Sequence, residues 1–228
     1  MYRIFHYDTP EEVSRELARF MAEFLTTVIT EKGVAKLGLA GGNSPRETYA
    51  FMRNSFHLWE RVLIFPTDER FVPSEYPESN YRMLREYLGD RAKVYRVKTE
   101  LPLKEACKDF DRALSKAGGL DLVLLGIGRD GHTASIFPGV PCESCGENAC
   151  TSRSPDGLDR ISMSLSYINR SYQVAFLVLG EEKRDALERL LKGDDIPASR
   201  VSNGKEIYLF TDLLPASRSQ LQSKRSKR

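Results

Sequence analysis

Val13, Leu17, Phe20, Met21, Phe24, Leu25 and Val28 recur at the spacing of one helix face. The preceding Thr9-Pro10-Glu11-Glu12 reads as a helix start. Thr9 caps it, Pro10 suits the first turn, Glu12 closes a capping box, and Gly33 stops the run. Short apolar runs alternate with helical patterns almost to the end of the chain. The pattern predicts strands over residues 2–6, 34–40, 61–65, 93–97, 120–125, 160–165, 173–179 and 206–210. It predicts further helices over 45–52, 80–88, 103–116 and 181–191. Residues 140–158 are rich in Pro, Gly, Ser and Cys and read as a long loop. Residues 120–125 form an unbroken apolar run, the kind buried on both faces of a parallel sheet. Strand–helix alternation therefore predicts an α/β fold with a mostly parallel sheet flanked by crossover helices.

Composition narrows the function classes. With 41% hydrophobic and 29% charged residues in 228, the chain is globular rather than disordered. A net charge of +2 gives no reason to expect nucleic acid as a partner. The charge is uneven: residues 217–228 carry five basic side chains and no acid, which leaves the rest net acidic. Residues 1–216 read as a single α/β domain and 217–228 as a basic, solvated C-terminal tail. No apolar run is long enough for a membrane span and no signal peptide opens the chain, so a cytoplasmic protein is expected. In that compartment Cys107, Cys142, Cys145 and Cys150 are expected as reduced thiols. The Cys142–Cys150 cluster has partial zinc spacing but no fourth local ligand, so no metal is expected.

Ligands of parallel α/β sheets bind beyond the carboxyl ends of the strands, so the segments after each strand carry the candidate chemistry. The strand ending near Ala40 leads into Gly41-Gly42-Asn43-Ser44-Pro45. The glycines allow a tight turn and close approach of a ligand, Ser44 occupies the expected cap position, and free amides at the helix start suit a phosphate. The Gly-Lys-Ser/Thr of a nucleoside-triphosphate loop is missing. After the next strand comes Thr67-Asp68-Glu69-Arg70, two acids and a guanidinium that need partners or a ligand. Arg160 opens one downstream strand and Lys183 follows another, each a fixed cation suited to phosphate.

Gly126, Gly128 and Gly131 formally match a dinucleotide fingerprint. That reading fails because Pro138-Gly139 breaks the chain where the fingerprint requires a helix. The glycines instead carry Asp130 and His132, one of three histidines with His6 and His57. An imidazole at a strand end is a natural general base for water, and Asp130 is placed to orient it.

Five segments together resemble the 6-phosphogluconolactonase family: LGLAGGNSPRETYAFM (37–52), FPTDERFVPSEYPESNYRML (65–84), LDLVLLGIGRDGHTASIFPG (120–139), DRISMSLSYIN (159–169) and VLGEEKRDAL (178–187). The Asp-Gly-His-Thr-Ala-Ser run ending Phe-Pro-Gly is the most specific. The resemblance implies a modified Rossmann-like sheet and cofactor-free hydrolysis of 6-phospho-D-glucono-1,5-lactone in the oxidative pentose phosphate pathway. It implies His132, Asp130 and Arg70 as catalytic residues, with Arg70 on either the phosphate or the oxyanion. Gly41, Gly42, Asn43, Ser44, Asp68, Glu69, Arg160 and Lys183 would hold the substrate, a sugar phosphate lactone, with Asp68 and Glu69 either on sugar hydroxyls or bracing Arg70. The protein is expected as a monomer or homo-oligomer. The alternative is an aminosugar-6-phosphate deaminase or isomerase of the same superfamily. Those enzymes carry a glutamate after the Asp-Gly-His run, where this chain has Thr133 to Phe137 and no carboxylate. The Cys142–Cys150 insert is unlike the family's usual loop.

Overall fold

The predicted alternation is realised in the computed structural model, which describes residues 1–214; the expected basic tail lies outside the described residues. The chain runs β1 (Tyr2–His6), α1 (Pro10–Lys32), β2 (Ala35–Leu39), α2 (Arg46–Ser55), β3 (Val62–Pro66), β4 (Asp68–Arg70), α3 (Asn80–Leu88) and β5 (Lys93–Val94). It continues through α4 (Leu103–Ala117), β6 (Leu122–Gly126), β7 (Glu143–Ser144), β8 (Ala149–Arg153), β9 (Asp159–Met163), α5 (Leu165–Asn169), β10 (Gln173–Val178), α6 (Arg184–Lys192) and β11 (Ile207–Thr211). The first helix behaves as its sequence requires. Thr9 accepts a bond from the Glu12 amide, and Gly33 ends the helix in the left-handed conformation at φ 80°.

Seven strands form one sheet in the order β1-β11-β10-β6-β2-β3-β5, and every neighbouring pair is parallel. Its central strands are apolar on both faces. In β6, Val123 and Leu125 pack with Phe110 and Leu114 of α4, whereas Leu122 and Leu124 pack with Leu17 and Met21 of α1 and Tyr49 of α2. This two-sided burial explains why β6 shows no polar alternation. From β2 the sheet grows through β3 on one side and through β6 on the other. Their carboxyl ends therefore diverge and leave a crevice at the switch point.

The expected loop over 140–158 is instead part of a second, antiparallel sheet in the order β4-β9-β8-β7. Its short strands, Ser-, Thr- and Cys-bearing, gain their register from β9 and from α4 rather than from local pattern. Asp111 of α4 accepts from the amides of Asn148 and Ala149 at 2.7 and 3.0 Å. The thiol expectation is also corrected. Cys107 is joined to Cys145 and Cys142 to Cys150, with Cα separations of 5.9 and 5.4 Å. Cys107 sits on the buried face of α4, and only packing of the hairpin against that helix brings Cys145 to it. The two cysteines of the Cys-x-x-Cys run thus serve different partners. Among the described residues no helix is long and apolar enough to cross a membrane, and no three His, Cys, Asp or Glu side chains form a metal-binding group.

Candidate active site

The switch-point crevice is a cavity of about 440 Å³. The turn after β2 (Gly41 to Pro45) forms one wall and the segment after β6 another. The second sheet contributes Asp68, Arg70 and Arg160, and Lys183 arrives from the turn after β10.

His132 stands in a tight turn closed by hydrogen bonds from the Gly128 amide to the His132 carbonyl (2.8 Å) and from the Gly131 amide to the Gly128 carbonyl (2.9 Å). Gly131 takes φ 87°, which favours glycine. Gly128 is needed for space: a Cβ there would overlap the His132 ring and press on the Asp130 carboxylate. Asp130 Oδ1 accepts from the His132 amide at 3.1 Å and meets Nδ1 of the ring at 2.6 Å. A carboxylate at Nδ1 calls for a proton there, which leaves Nε2 as the basic nitrogen. Phe137 packs on the imidazole, with centroids 4.8 Å apart. Burial pushes the Asp130 carboxyl up, but the His132 amide and ring outweigh it, so Asp130 is held below the usual carboxylate range.

The turn that follows is held firmly. Ala134 adopts φ 48°, the left-handed region costly for a residue with a Cβ. Its neighbours fix it: Thr133 Oγ1 donates to the Gly126 carbonyl at 2.9 Å and Ser135 Oγ to Asp68 Oδ2 at 2.6 Å. The Ser135 carbonyl accepts from Ser152 Oγ at 2.6 Å.

Three cations face the cavity. Arg160 is only 7% exposed. Its Nη2 lies 3.4 Å from Asp156, while Nε and Nη1 have no hydrogen-bond partner among the described residues. Burial, with Arg70 nearby, lowers the pKa of this guanidinium. Burial also pushes the Lys183 ammonium below its ordinary value; Glu182 opposes the shift and Arg129 adds to it. Arg70 is held by the Asn80 side-chain oxygen and by the Glu78 carbonyl at 3.3 Å, neither of them charged. Arg160 is buried with Nε and Nη1 unbonded among the described residues, and Arg70 and Lys183 are half-buried beside it; an anion entering the cavity would relieve the cost of gathering these charges.

Most of the residues singled out in the sequence meet here. Gly41, Gly42, Asn43, Ser44, Asp68, Arg70, His132, Arg160 and Lys183 all line the cavity, and Asp130 supports it from behind His132. Two placements differ from expectation. Ser44 does not cap α2: Pro45 holds the cap position without a side-chain bond, and the Arg46 amide turns back to the Asn43 carbonyl at 3.2 Å. Glu69 is not on the cavity wall. It is 2% exposed and accepts from the amides of Arg70 (2.8 Å), Asn80 (2.7 Å) and Tyr81 (2.8 Å) and from Ser79 Oγ (3.2 Å). A carboxylate at the start of α3 satisfies orphan amides, so Glu69 anchors that helix instead of meeting a sugar. Burial raises its pKa to about 6, against the amide bonds that lower it. Asp68, by contrast, lines the cavity and braces Ser135. Sequence reasoning missed Asn80, Ser135 and Asp156. Asn80, at the first turn of a predicted helix after Asp68-Glu69-Arg70, was the one with a visible signal.

The chain is similar to known proteins over most of its length. Residues 8–209 match the family model described as glucosamine-6-phosphate isomerases/6-phosphogluconolactonase. The 6-phosphogluconolactonase of Thermotoga maritima is 36% identical over 188 residues, covering 78% of this chain and 84% of that protein. Its counterpart from Synechocystis is 33% identical over 188 residues, covering 76% and 78%. The crystal structure of a 6-phosphogluconolactonase from Thermotoga maritima superposes with a TM-score of 0.81 at 28% identity, covering 92% of this chain and 99% of the other.

Proposed function

From the premise that the chain belongs to the glucosamine-6-phosphate isomerase/6-phosphogluconolactonase family, we propose that it hydrolyses 6-phospho-D-glucono-1,5-lactone to 6-phospho-D-gluconate. The observation that carries this reading is one cavity holding both an Asp-oriented imidazole and three cations. Arg160, Lys183 and the amides of the Gly42–Ser44 turn bind the phosphate. Arg70 faces the lactone carbonyl. Nε2 of His132 takes a proton from water as the water oxygen attacks C1. Arg70 stabilises the resulting oxyanion, and the C1–ring-oxygen bond then breaks. His132 returns its proton to the departing ring oxygen, so base and acid are one group. Asp130, kept ionised, stabilises the imidazolium in between.

The lactone also opens slowly in water, so the required acceleration is modest. One general base, worth about 10²–10⁴-fold, an oxyanion partner and fixed positioning suffice. Ser135 is committed to Asp68 and lacks the glycine context of a nucleophile elbow, so no covalent intermediate is invoked. The deaminase alternative lacks its carboxylate at residues 133–137. A small soluble anionic substrate fits the expected cytoplasmic setting, whereas the two disulfides speak against a strongly reducing compartment.

The test is turnover of freshly prepared lactone, coupled to oxidation of the released phosphogluconate and set against spontaneous opening. Acceleration is expected in the wild type. His132→Ala should lose about 10²–10⁴-fold in kcat while still binding phosphogluconate. Ammonia release from glucosamine-6-phosphate without lactone turnover would overturn the proposal.

A further inference from the structure

The lactonase reading leaves open how Arg70 is aimed. Its partners are unusual for a half-buried cation, because among the described residues it forms no ion pair with a carboxylate. Among the described residues the side chain donates only to the Asn80 Oδ1 and to the Glu78 carbonyl. Glu69, its immediate neighbour, turns away and takes the Arg70 backbone amide instead.

Asn80 itself is over-determined. It is 1% exposed. Its backbone amide donates to Glu69 Oε1 at 2.7 Å, and its Nδ2 donates to the Asp68 carbonyl at 2.8 Å. The Asp68 carbonyl can only accept and the guanidinium can only donate, so the amide has a single workable orientation. Gly41 makes room for it: a Cβ at that position would overlap the Asn80 amide. One side chain therefore ties together the turn after β2, strand β4 and the guanidinium.

We propose that Asn80 is a positioning residue that aims Arg70 into the cavity while leaving its positive charge uncompensated. A carboxylate at the same point would hold the guanidinium equally well but would form an ion pair with it. A neutral oxygen fixes direction and leaves the charge for the substrate. An oxyanion partner must be preorganised to be effective, because a reorganising donor loses its advantage at the moment of reaction. The argument rests on the lactonase reading for its substrate, not for its geometry.

The experiment is a double-mutant cycle on the full chain. Asn80→Ala and Asn80→Asp are each made with Arg70 intact and with Arg70→Ala, and kcat, KM and the thermal midpoint are measured for each. Asn80→Ala should lower kcat/KM by about tenfold or more when Arg70 is present, and by less than about twofold when it is absent. Asn80→Asp is the variant that guards against misfolding. It preserves shape and keeps an oxygen toward Arg70; it gives up the donor to the Asp68 carbonyl, a cost that an acid in the first turn of α3 partly offsets and that the thermal midpoint reads directly. It should keep the fold, as read from the thermal midpoint, yet lose at least as much kcat/KM as the alanine variant. Equal losses in both Arg70 backgrounds, or a fully active Asn80→Asp, would overturn the inference. Failure of the lactonase reading shows separately, as a wild type that does not accelerate lactone opening; a loss of phosphogluconate affinity on Asn80→Asp in that protein would still support the role on Arg70, and an unchanged affinity would refute it.

Discussion

Gly128→Ala isolates the position of the base from its chemistry. Gly128 is not among the glycines with positive φ, so alanine is compatible with its backbone. Its new Cβ would overlap Nδ1 and Cε1 of His132 and stand 2.6 Å from Asp130 Oδ1. Relief demands that the ring and carboxylate retreat by about 1 Å or more, since carbon contacts settle near 3.5–4.0 Å. The turn cannot follow freely, because Gly131 is packed against Ile196 and Thr133 is bonded to Gly126. A misplacement of about 1 Å at a reacting group costs about 10²-fold in rate, or roughly 2.7 kcal/mol. The phosphate groups lie on other elements, so KM should stay within about twofold. The coupled lactone assay, corrected for spontaneous opening, measures both. A kcat within about threefold of wild type, with the fold intact, would refute the claim that His132 must sit where the turn holds it.

Arg160→Met replaces a buried, under-bonded guanidinium with an apolar side chain. It should raise unfolding stability by about 1 kcal/mol or more while weakening phosphogluconate binding at least about tenfold; a melt and a titration check the two, and a stabilised protein with unchanged affinity would remove Arg160 from the phosphate site. Glu69→Gln tests the buried anchor. Because the folded pKa of Glu69 is raised to about 6 from 4.5, its contribution to stability is fully present below the unfolded value and is lost as pH rises through about 6, roughly 2 kcal/mol in all. Urea unfolding at pH 4.5 and pH 7 should show that component in wild type and not in the variant; identical differences would contradict the assignment. The variant should also be less stable at both pH values, since its amide nitrogen must face a backbone donor.

The sequence by itself determined the α/β class, because the apolar period switches between strand and helix in a regular order that a parallel sheet requires. Thr9, Gly33 and the start of α3 at Asn80 were legible as local chemistry: caps and breakers act over three or four residues. The polar candidates were legible too, since glycines and charges after strand ends lie where such sheets open. Tertiary structure alone decided the rest. The second sheet was hidden because its strands are short and polar, with register set by α4 and β9 rather than by their own pattern. The disulfides were hidden for the same reason: Cys107 and Cys145 are 38 residues apart and meet only when the hairpin docks. Glu69 and Asn80 exchanged their apparent importance. Adjacent residues of one extended strand point to opposite sides, so Arg70 reaches the cavity while Glu69 turns beneath it to the helix amides. Which side faces a ligand is a property of packing between distant segments, and a linear chain does not carry it.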